Sequence, residues 1–362
     1  MKGTVKLFQA AGIPVLMHWS FGLILVLVLL EARRNDLSAS GTLWLLLLFL
    51  ILFSCVVLHE FGHALTARRY HIDTKDIILS PIGGIARLER IPEKAWQELW
   101  IALAGPAVNL VIAGLLYLLL QLWHLPTLIQ TDSETMVLNR YSILPYVMTM
   151  NVFLAIFNLL PAFPMDGGRV LRSLLALFMR RWKATFVASW IGRLFALTFV
   201  GVGIYWGEWV LVFIGVFIFI NAGLEYRSTR IEEMLRGQTI GDQMIPEVVT
   251  ISYDAPFGSI SALMALHPVL YLTNPMGTIT HYLIAEDLQK KTLPENTPVD
   301  QLALPVSQSV SPGLPLEVAY QVMQRYRMPV LPVAEEGRIM GSLLWKDLES
   351  MMRKASLLRW KA

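Results

Sequence analysis

The sequence predicts a polytopic α-helical membrane protein of about six transmembrane helices, followed by a soluble α/β unit at its C-terminal end. Hydrophobic residues make up 55% of the 362 residues and charged residues only 16%, with a mean hydropathy of +0.54. Ordinary soluble domains are roughly half apolar and about a quarter charged. The apolar stretches are concentrated in residues 1–230, whereas the remainder reads like a soluble protein. We therefore expect a transmembrane domain over 1–230 and a soluble pair of domains over 238–354.

Six stretches of the first part are long enough to cross a hydrocarbon core as a helix, which takes about 20 apolar residues. The first of them lacks the small-residue cleavage site of a removed signal peptide, so we expect it to be retained as a helix. The six predicted spans cover about 14–32, 41–66, 97–122, 142–161, 186–206 and 208–224.

Lysine and arginine are unevenly distributed among the connections between these helices. The connections after the second and fourth helices are rich in both, whereas residues 123–141 contain only Arg140. Because basic loops stay on the cytoplasmic side, we expect both termini in the cytoplasm. Arg33 and Arg34 oppose this orientation, because they lie in a loop that it places outside the cell. The net charge of +3 and the lack of a basic stripe indicate no nucleic-acid partner.

A metal-binding motif lies near the end of the second predicted helix, in the run His59-Glu60-Phe61-Gly62-His63. Residues i and i+4 share one face of a helix, so both imidazoles can bind one ion. Glu60 lies beside them, where it can accept a proton from water. Ionisable residues inside a membrane helix are costly and indicate function. The motif predicts a catalytic zinc with three protein ligands and an open position.

A candidate third ligand, Asp166, follows a break in the fourth predicted helix. Pro161 and Pro164 end the helix because proline lacks an N–H and its ring clashes with the preceding turn. Gly167 and Gly168 permit a tight turn that can direct the carboxylate toward the metal. The alternative is an ordinary loop aspartate that caps the next helix.

Together these motifs resemble the site-2 protease family of intramembrane metalloproteases, over about residues 1–230. The opening of the chain is similar to the bacterial branch typified by the sporulation protease, and this resemblance implies that the protein lies in the bacterial cell membrane. The resemblance rests on residues 59–63 (HEFGH), 158–169 (NLLPAFPMDGGR), 104–109 (AGPAVN), 80–86 (SPIGGIA), and 12–15 (GIPV) with His18 and Trp19.

The resemblance implies zinc bound by His59, His63 and Asp166, with Glu60 as the general base. It also implies that Asn158 lies near the reacting carbonyl, as a hydrogen-bond donor or a substrate clamp. The alternative for Asn158 is a polar residue that joins helices.

The implied substrate is a membrane-anchored protein, cut within or near its transmembrane segment. A strand edge within residues 72–88 can hold an unwound substrate as an added strand. For Asn109, in the segment that resembles the start of the family's third helix, a role in helix packing is favoured over a catalytic one.

The C-terminal part contains an internal repeat, in which residues 277–288 align with 337–348. Two copies with a period of about 60 residues indicate two similar units packed together. The repeat resembles a tandem pair of cystathionine-β-synthase (CBS) domains, over about 238–291 and 298–354.

In CBS pairs the aspartate that ends each copy contacts the ribose of an adenosine nucleotide. Asp287 and Asp347 occupy this position, but the hydroxyl residue expected three positions earlier is replaced by Ile284 and Leu344. The resemblance therefore leaves two alternatives, a nucleotide site and a pair that only packs or docks substrate. It also leaves open a homodimer formed through the CBS domains.

The expected function is that of a zinc endopeptidase of regulated intramembrane proteolysis, surrounded by membrane lipid and tuned by its CBS domains. Two alternatives belong to other classes. A CBS-gated transporter or channel is disfavoured because the sequence shows no repeated membrane halves. A non-proteolytic scaffold is disfavoured by the intact Glu60.

Overall fold

The computed structural model describes residues 3–81, 83–90, 92, 94–125, 127, 142–289 and 293–357. The chain divides into two compact units, residues 1–229 and 230–362. Most of the connection over 123–141, including Asp132 and Arg140, lies outside the described residues.

Helices dominate the first unit, and four short strands accompany them. In chain order its elements are β1 (Thr4–Ala10), β2 (Ile13–His18), α1 (Phe21–Arg34), α2 (Ala39–Arg68), β3 (Thr74–Ser80), β4 (Gly83–Leu88), α3 (Ala95–Leu122), α4 (Ile143–Asn158), α5 (Asp166–Ala176), α6 (Arg181–Trp206) and α7 (Trp209–Leu235), the last of which continues into the second unit.

Among the described residues, four helices are long and apolar enough to cross a membrane, namely α2, α3, α6 and α7. In α2 only 17% of the apolar window is buried inside the protein. Its remaining apolar side chains face outward, as they do in a helix surrounded by lipid. The predicted class of polytopic helical membrane protein is confirmed.

Two of the six predicted spans correspond to shorter helices, so the structure does not confirm a count of six. α1 has 14 residues and α4 has 16. The prediction of helix from residue 14 onward was wrong at its start, because Ile13–His18 is strand β2 and pairs with both β1 and β3. A short apolar run has no period that separates a buried strand from a helix.

The four strands form one sheet in the order β1-β2-β3-β4. β2 and β3 are parallel, and β3 and β4 are antiparallel. The segment expected to offer a strand edge therefore forms β3 and β4, with β4 at the border of the sheet. One face of the sheet packs against α1 and α2, through Val15, Ile77 and Val57.

The second unit repeats an order of helix, two strands and helix, as the internal repeat of the sequence predicts. Its elements are α8 (Ile240–Gln243), β5 (Val249–Ser252), α9 (Phe257–Leu266), β6 (Val269–Thr273), β7 (Ile279–Ile284), α10 (Ala285–Gln289), β8 (Leu304–Pro305), α11 (Leu316–Tyr326), β9 (Val330–Glu335), β10 (Arg338–Leu344) and α12 (Trp345–Leu357).

The two copies share a buried core that contains Tyr271 from one and Leu344 from the other. The Tyr271 hydroxyl lies 2.7 Å from Ser342 Oγ of the second copy. Burial raises the pKa of Tyr271 to about 12, so this hydroxyl stays protonated at neutral pH. Lys346 also pairs with Glu286 at 3.3 Å, and these two residues occupy equivalent positions in the repeat.

Candidate active site

Three buried side chains from α2 and α5 meet at one point of the first unit. The Nε2 atoms of His59 and His63 each lie 3.1 Å from Asp166 Oδ2, and 3.1 Å from each other. The exposed fractions of the three residues are 6%, 5% and 8%. Asp166 follows the two histidines by 107 and 103 positions, and the three residues present two nitrogens and one oxygen to a common centre.

The outer nitrogens of both imidazoles are fixed by acceptors. His63 Nδ1 donates to the carbonyl oxygen of Ile101 at 2.6 Å, and His59 Nδ1 lies 2.7 Å from Asn109 Oδ1. A carbonyl oxygen can only accept, so Nδ1 carries the proton and Nε2 presents a lone pair. Second partners of this kind orient the histidine ligands of metals.

Two lone pairs and a carboxylate oxygen that face one another at 3.1 Å repel unless a cation lies among them. Two imidazole nitrogens and one carboxylate are also a donor set of catalytic zinc sites, which leave a fourth position for water or substrate. The residues present therefore fit a zinc ion.

The third side of the centre is formed by the backbone of α3 at Gly105. A Cβ atom at this position would lie 2.3 Å from His63 Nε2 and 2.6 Å from His59 Nε2. Glycine is required here because any side chain would occupy the space in which the three ligand atoms meet.

The Gly105→Ala variant is expected to bind zinc about 10- to 100-fold more weakly, because the added methyl group displaces both imidazoles. The measurement is a zinc titration of the purified variant. Gly114→Ala is the matched control, since it changes the same helix at a position where a Cβ meets nothing within 4 Å. Equal zinc affinity in the two variants would contradict the geometry.

Asp166 is the first residue of α5, and Met165 occupies the N-cap position without a side-chain cap. The Asp166 carboxylate contacts the two histidines and does not cap the helix, which differs from the alternative of an ordinary capping aspartate. The glycines that follow serve close packing rather than a special turn. A Cβ on Gly167 would lie 2.3 Å from the carbonyl oxygens of Leu159 and Leu160. α5 therefore begins directly beneath the turn that ends α4.

Glu60 lies beside the cluster but is not one of the three facing groups. It is 9% exposed, and its Oε2 accepts a hydrogen bond from the backbone N–H of Ala86 at 3.0 Å. A Cβ on Gly84 would lie 2.5 Å from Glu60 Cγ. Strand β4 thus passes directly over the carboxylate.

Part of the hydrogen-bonded support of the site was not predicted from the sequence. Asn109 was interpreted as a packing residue, yet it holds His59 and in turn donates to Asn151 Oδ1 at 3.2 Å. Asn151 is fully buried and donates to the Val147 carbonyl at 2.8 Å. The available signal was the spacing, because Asn109 is four residues after Gly105 and so lies on the same face of α3.

The remaining predicted site residues are not among the three groups of the cluster. Asn158 is the last residue of α4 and is half-buried, and its side chain makes no hydrogen bond within the described part of the chain. Asp287 and Asp347 are exposed residues of the second unit. A cavity of that unit lined by Glu247, His267 and others has a volume of about 10 Å³, which is room for one water molecule.

A model of peptidase family M50 matches residues 47–201, which contain the three cluster residues and Glu60. A solved site-2 protease from Methanocaldococcus jannaschii is 33% identical in sequence; the match covers 62% of this chain and 95% of that one, with a TM-score of 0.45. The chain belongs to peptidase family M50. This confirms the site-2 protease resemblance drawn from the motifs.

A second comparison extends the similarity to the full length of the chain. A zinc metalloprotease of Methanocaldococcus jannaschii is 29% identical over 362 residues, covering 100% of this chain and 98% of that protein. The chain is therefore a zinc metalloprotease and an integral membrane protein. A CBS-domain protein of Agrobacterium tumefaciens is similar to 32% of the chain, at 17% identity and a TM-score of 0.28, with 96% of its own length covered.

Proposed function

We propose that this M50 protease is an intramembrane endopeptidase, which cuts a membrane-anchored protein within or near its transmembrane segment. The observation that carries the proposal is the position of the cluster. His63 and His59 lie five and nine residues before the end of α2 at Arg68, or roughly 8–14 Å along the helix axis at about 1.5 Å per residue. A site at this depth can reach peptide bonds that soluble proteases cannot.

In this proposal His59, His63 and Asp166 hold the zinc ion. When bound, zinc polarises a carbonyl group and makes water a stronger nucleophile at neutral pH. Glu60 accepts the proton of the attacking water and delivers it to the leaving amine. The side-chain amide of Asn158 serves as a donor to the substrate carbonyl.

The edge of β4 offers a place for the substrate. Successive residues of an antiparallel pair turn their backbone groups to opposite edges. The N–H of Ala86 bonds Glu60, so its backbone groups face the free edge rather than β3. A substrate segment that unwinds can add to this edge as a further strand and bring its peptide bond to Glu60.

The test compares membranes of an expression host that carries either the active chain or its Glu60→Gln variant. Quantitative mass spectrometry of intact membrane proteins is expected to reveal at least one protein that is shortened only by the active chain. Identical membrane protein profiles, from a chain shown to contain zinc, would contradict the proposal.

We further propose that the pair of domains over 238–354 tunes cleavage, with both termini in the cytoplasm, and that the pair can mediate a homodimer. The support is the repeated architecture together with Asp287 and Asp347. An adenosine nucleotide is the candidate effector, although the cavity of about 10 Å³ would have to widen to admit one.

Cleavage by the full-length chain is therefore expected to change about 5- to 150-fold across a titration with AMP or ATP, the range of typical coupling energies. Asp287→Ala and Asp347→Ala should abolish the response without changing the rate in the absence of nucleotide. A flat titration would leave the pair as a docking or assembly module.

A further inference from the structure

A cleft of about 390 Å³ lies between β4 and the helix that carries Asp166. One wall includes Ala86 of β4 and Arg90, which follows that strand. The opposite wall includes Arg169 of α5. Because Ala86 also contacts Glu60, the cleft runs along the free strand edge beside the candidate catalytic residues.

Two of the charges that line the cleft with Arg169, Arg172 and Glu225, belong to one ion-pair network, whereas Glu89 is exposed on the opposite wall and has no ion pair among the described residues. Arg172 pairs with both Glu98 and Glu225, and an Nη atom of Arg181 lies 3.0 Å from Glu98. Glu98 and Arg172 are only 2% and 4% exposed, so desolvation strengthens their pairing. Both carboxylates of this network are therefore committed to other arginines.

Arg169 differs from these neighbours. It is half-buried, and among the described residues its guanidinium has no hydrogen bond or ion pair. It follows Asp166 by three positions, so the two side chains project from neighbouring positions on one face of α5. Removing a guanidinium from water without a partner is costly. Arg90, at the exposed rim, instead donates to the carbonyl of His71 at 2.9 Å.

We propose that Arg169 binds a carboxylate of the substrate close to the bond that is cut, an inference that rests on the proposed proteolytic function. The planar fork of a guanidinium matches a carboxylate with two parallel hydrogen bonds. A strand advances about 3.3 Å per residue, so the stretch from Ala86 to Arg90 spans about 13 Å. A carboxylate bound within the cleft therefore lies no more than about four residues from the scissile bond.

Two parts of a substrate can supply this carboxylate. One is an aspartate or glutamate side chain at the boundary of the transmembrane segment. The other is the α-carboxylate that hydrolysis creates at the end of the N-terminal fragment. Both sources present the same carboxylate group to Arg169. The experiment therefore tests them with separate peptides.

The test measures binding to the zinc-loaded full-length chain with Glu60→Gln, in which hydrolysis is slowed by about 10²- to 10⁴-fold. The probes are synthetic strand-forming octapeptides with acetyl and amide ends, which carry glutamate or glutamine at one position that is moved along the peptide. At the matching position the glutamate peptide is expected to bind about 10- to 100-fold more tightly. A second pair of glutamine peptides, with a free or an amidated C-terminus, tests the α-carboxylate.

The Arg169→Gln substitution should remove the carboxylate preference and leave the affinity for neutral peptides unchanged, whereas Arg169→Lys should retain part of it. Lys75→Gln, which removes an exposed charge of β3 outside the cleft, is the matched control and should change nothing. A merely structural Arg169 would lower the binding of acidic and neutral peptides equally, and this would overturn the proposal.

Failure to bind any peptide, or a preference that survives Arg169→Gln, would also overturn it. Failure of the proposed function would look different. It would appear as uncut membrane proteins with the unaltered chain, whatever the peptides bind.

Discussion

Replacing Glu60 with glutamine is expected to lower the rate of proteolysis by about 10²- to 10⁴-fold, the usual contribution of a general base. Zinc content should stay unchanged, because the Glu60 carboxylate is not one of the three groups that face the common centre. The local structure should also persist, since a glutamine carbonyl can still accept the N–H of Ala86.

The measurement pairs the cleavage rate with zinc analysis of the same purified sample. Glu208→Gln is the control, since it makes the same chemical change at an exposed position between α6 and α7. If zinc were lost together with activity, Glu60 would be a ligand or a structural residue and the assigned role would be wrong.

The Asp166→Ala variant is expected to lose zinc affinity and activity together, by at least about 100-fold. Loss of a residue that only supports a ligand already costs about 10- to 100-fold in metal affinity, and this substitution removes a ligand itself. The substitution removes the only carboxylate among the three groups. It leaves the lone pairs of His59 and His63 facing each other at 3.1 Å without a negative charge to help hold the ion.

A suitable control is Asp73→Ala, an exposed aspartate just before β3 that lies outside the cluster. Zinc titration of both variants, followed by cleavage assays at saturating zinc, separates affinity from turnover. Normal zinc affinity in the Asp166 variant would show that the third ligand is another residue.

The metal centre could be predicted because local geometry fixes most of it. His59 and His63 share a helix face by spacing alone, and the prolines before Asp166 mark the break that brings the carboxylate inward. The support of the site could not be predicted in this way. The contact of His63 with Ile101 and the need for glycine at position 105 both depend on how closely α3 packs against α2, which no local pattern records.

The fold, too, has parts that could be predicted from the sequence and parts that could not. Long apolar runs predicted the membrane-crossing helices, and the repeat predicted two similar units in the C-terminal part. Strands β1 and β2 were missed because a strand of six or seven residues is recognised by its pairing partners, and β2 lies between β1 and β3. The hydrogen bond from Ala86 to Glu60 could likewise not be predicted from a local sequence pattern, since it joins a sheet edge to a helix.

The most direct test of intramembrane cleavage is the position of the cut in a substrate protein that spans the membrane of a lipid vesicle, which also contains the zinc-loaded chain. Mass spectrometry of both fragments gives the cleaved bond. A cut within the transmembrane segment or a few residues from its end is expected, and it should be abolished by Glu60→Gln and, after chelation, restored only by added metal. A cut confined to soluble loops far from the membrane, or cleavage that persists in the Glu60→Gln variant, would contradict it.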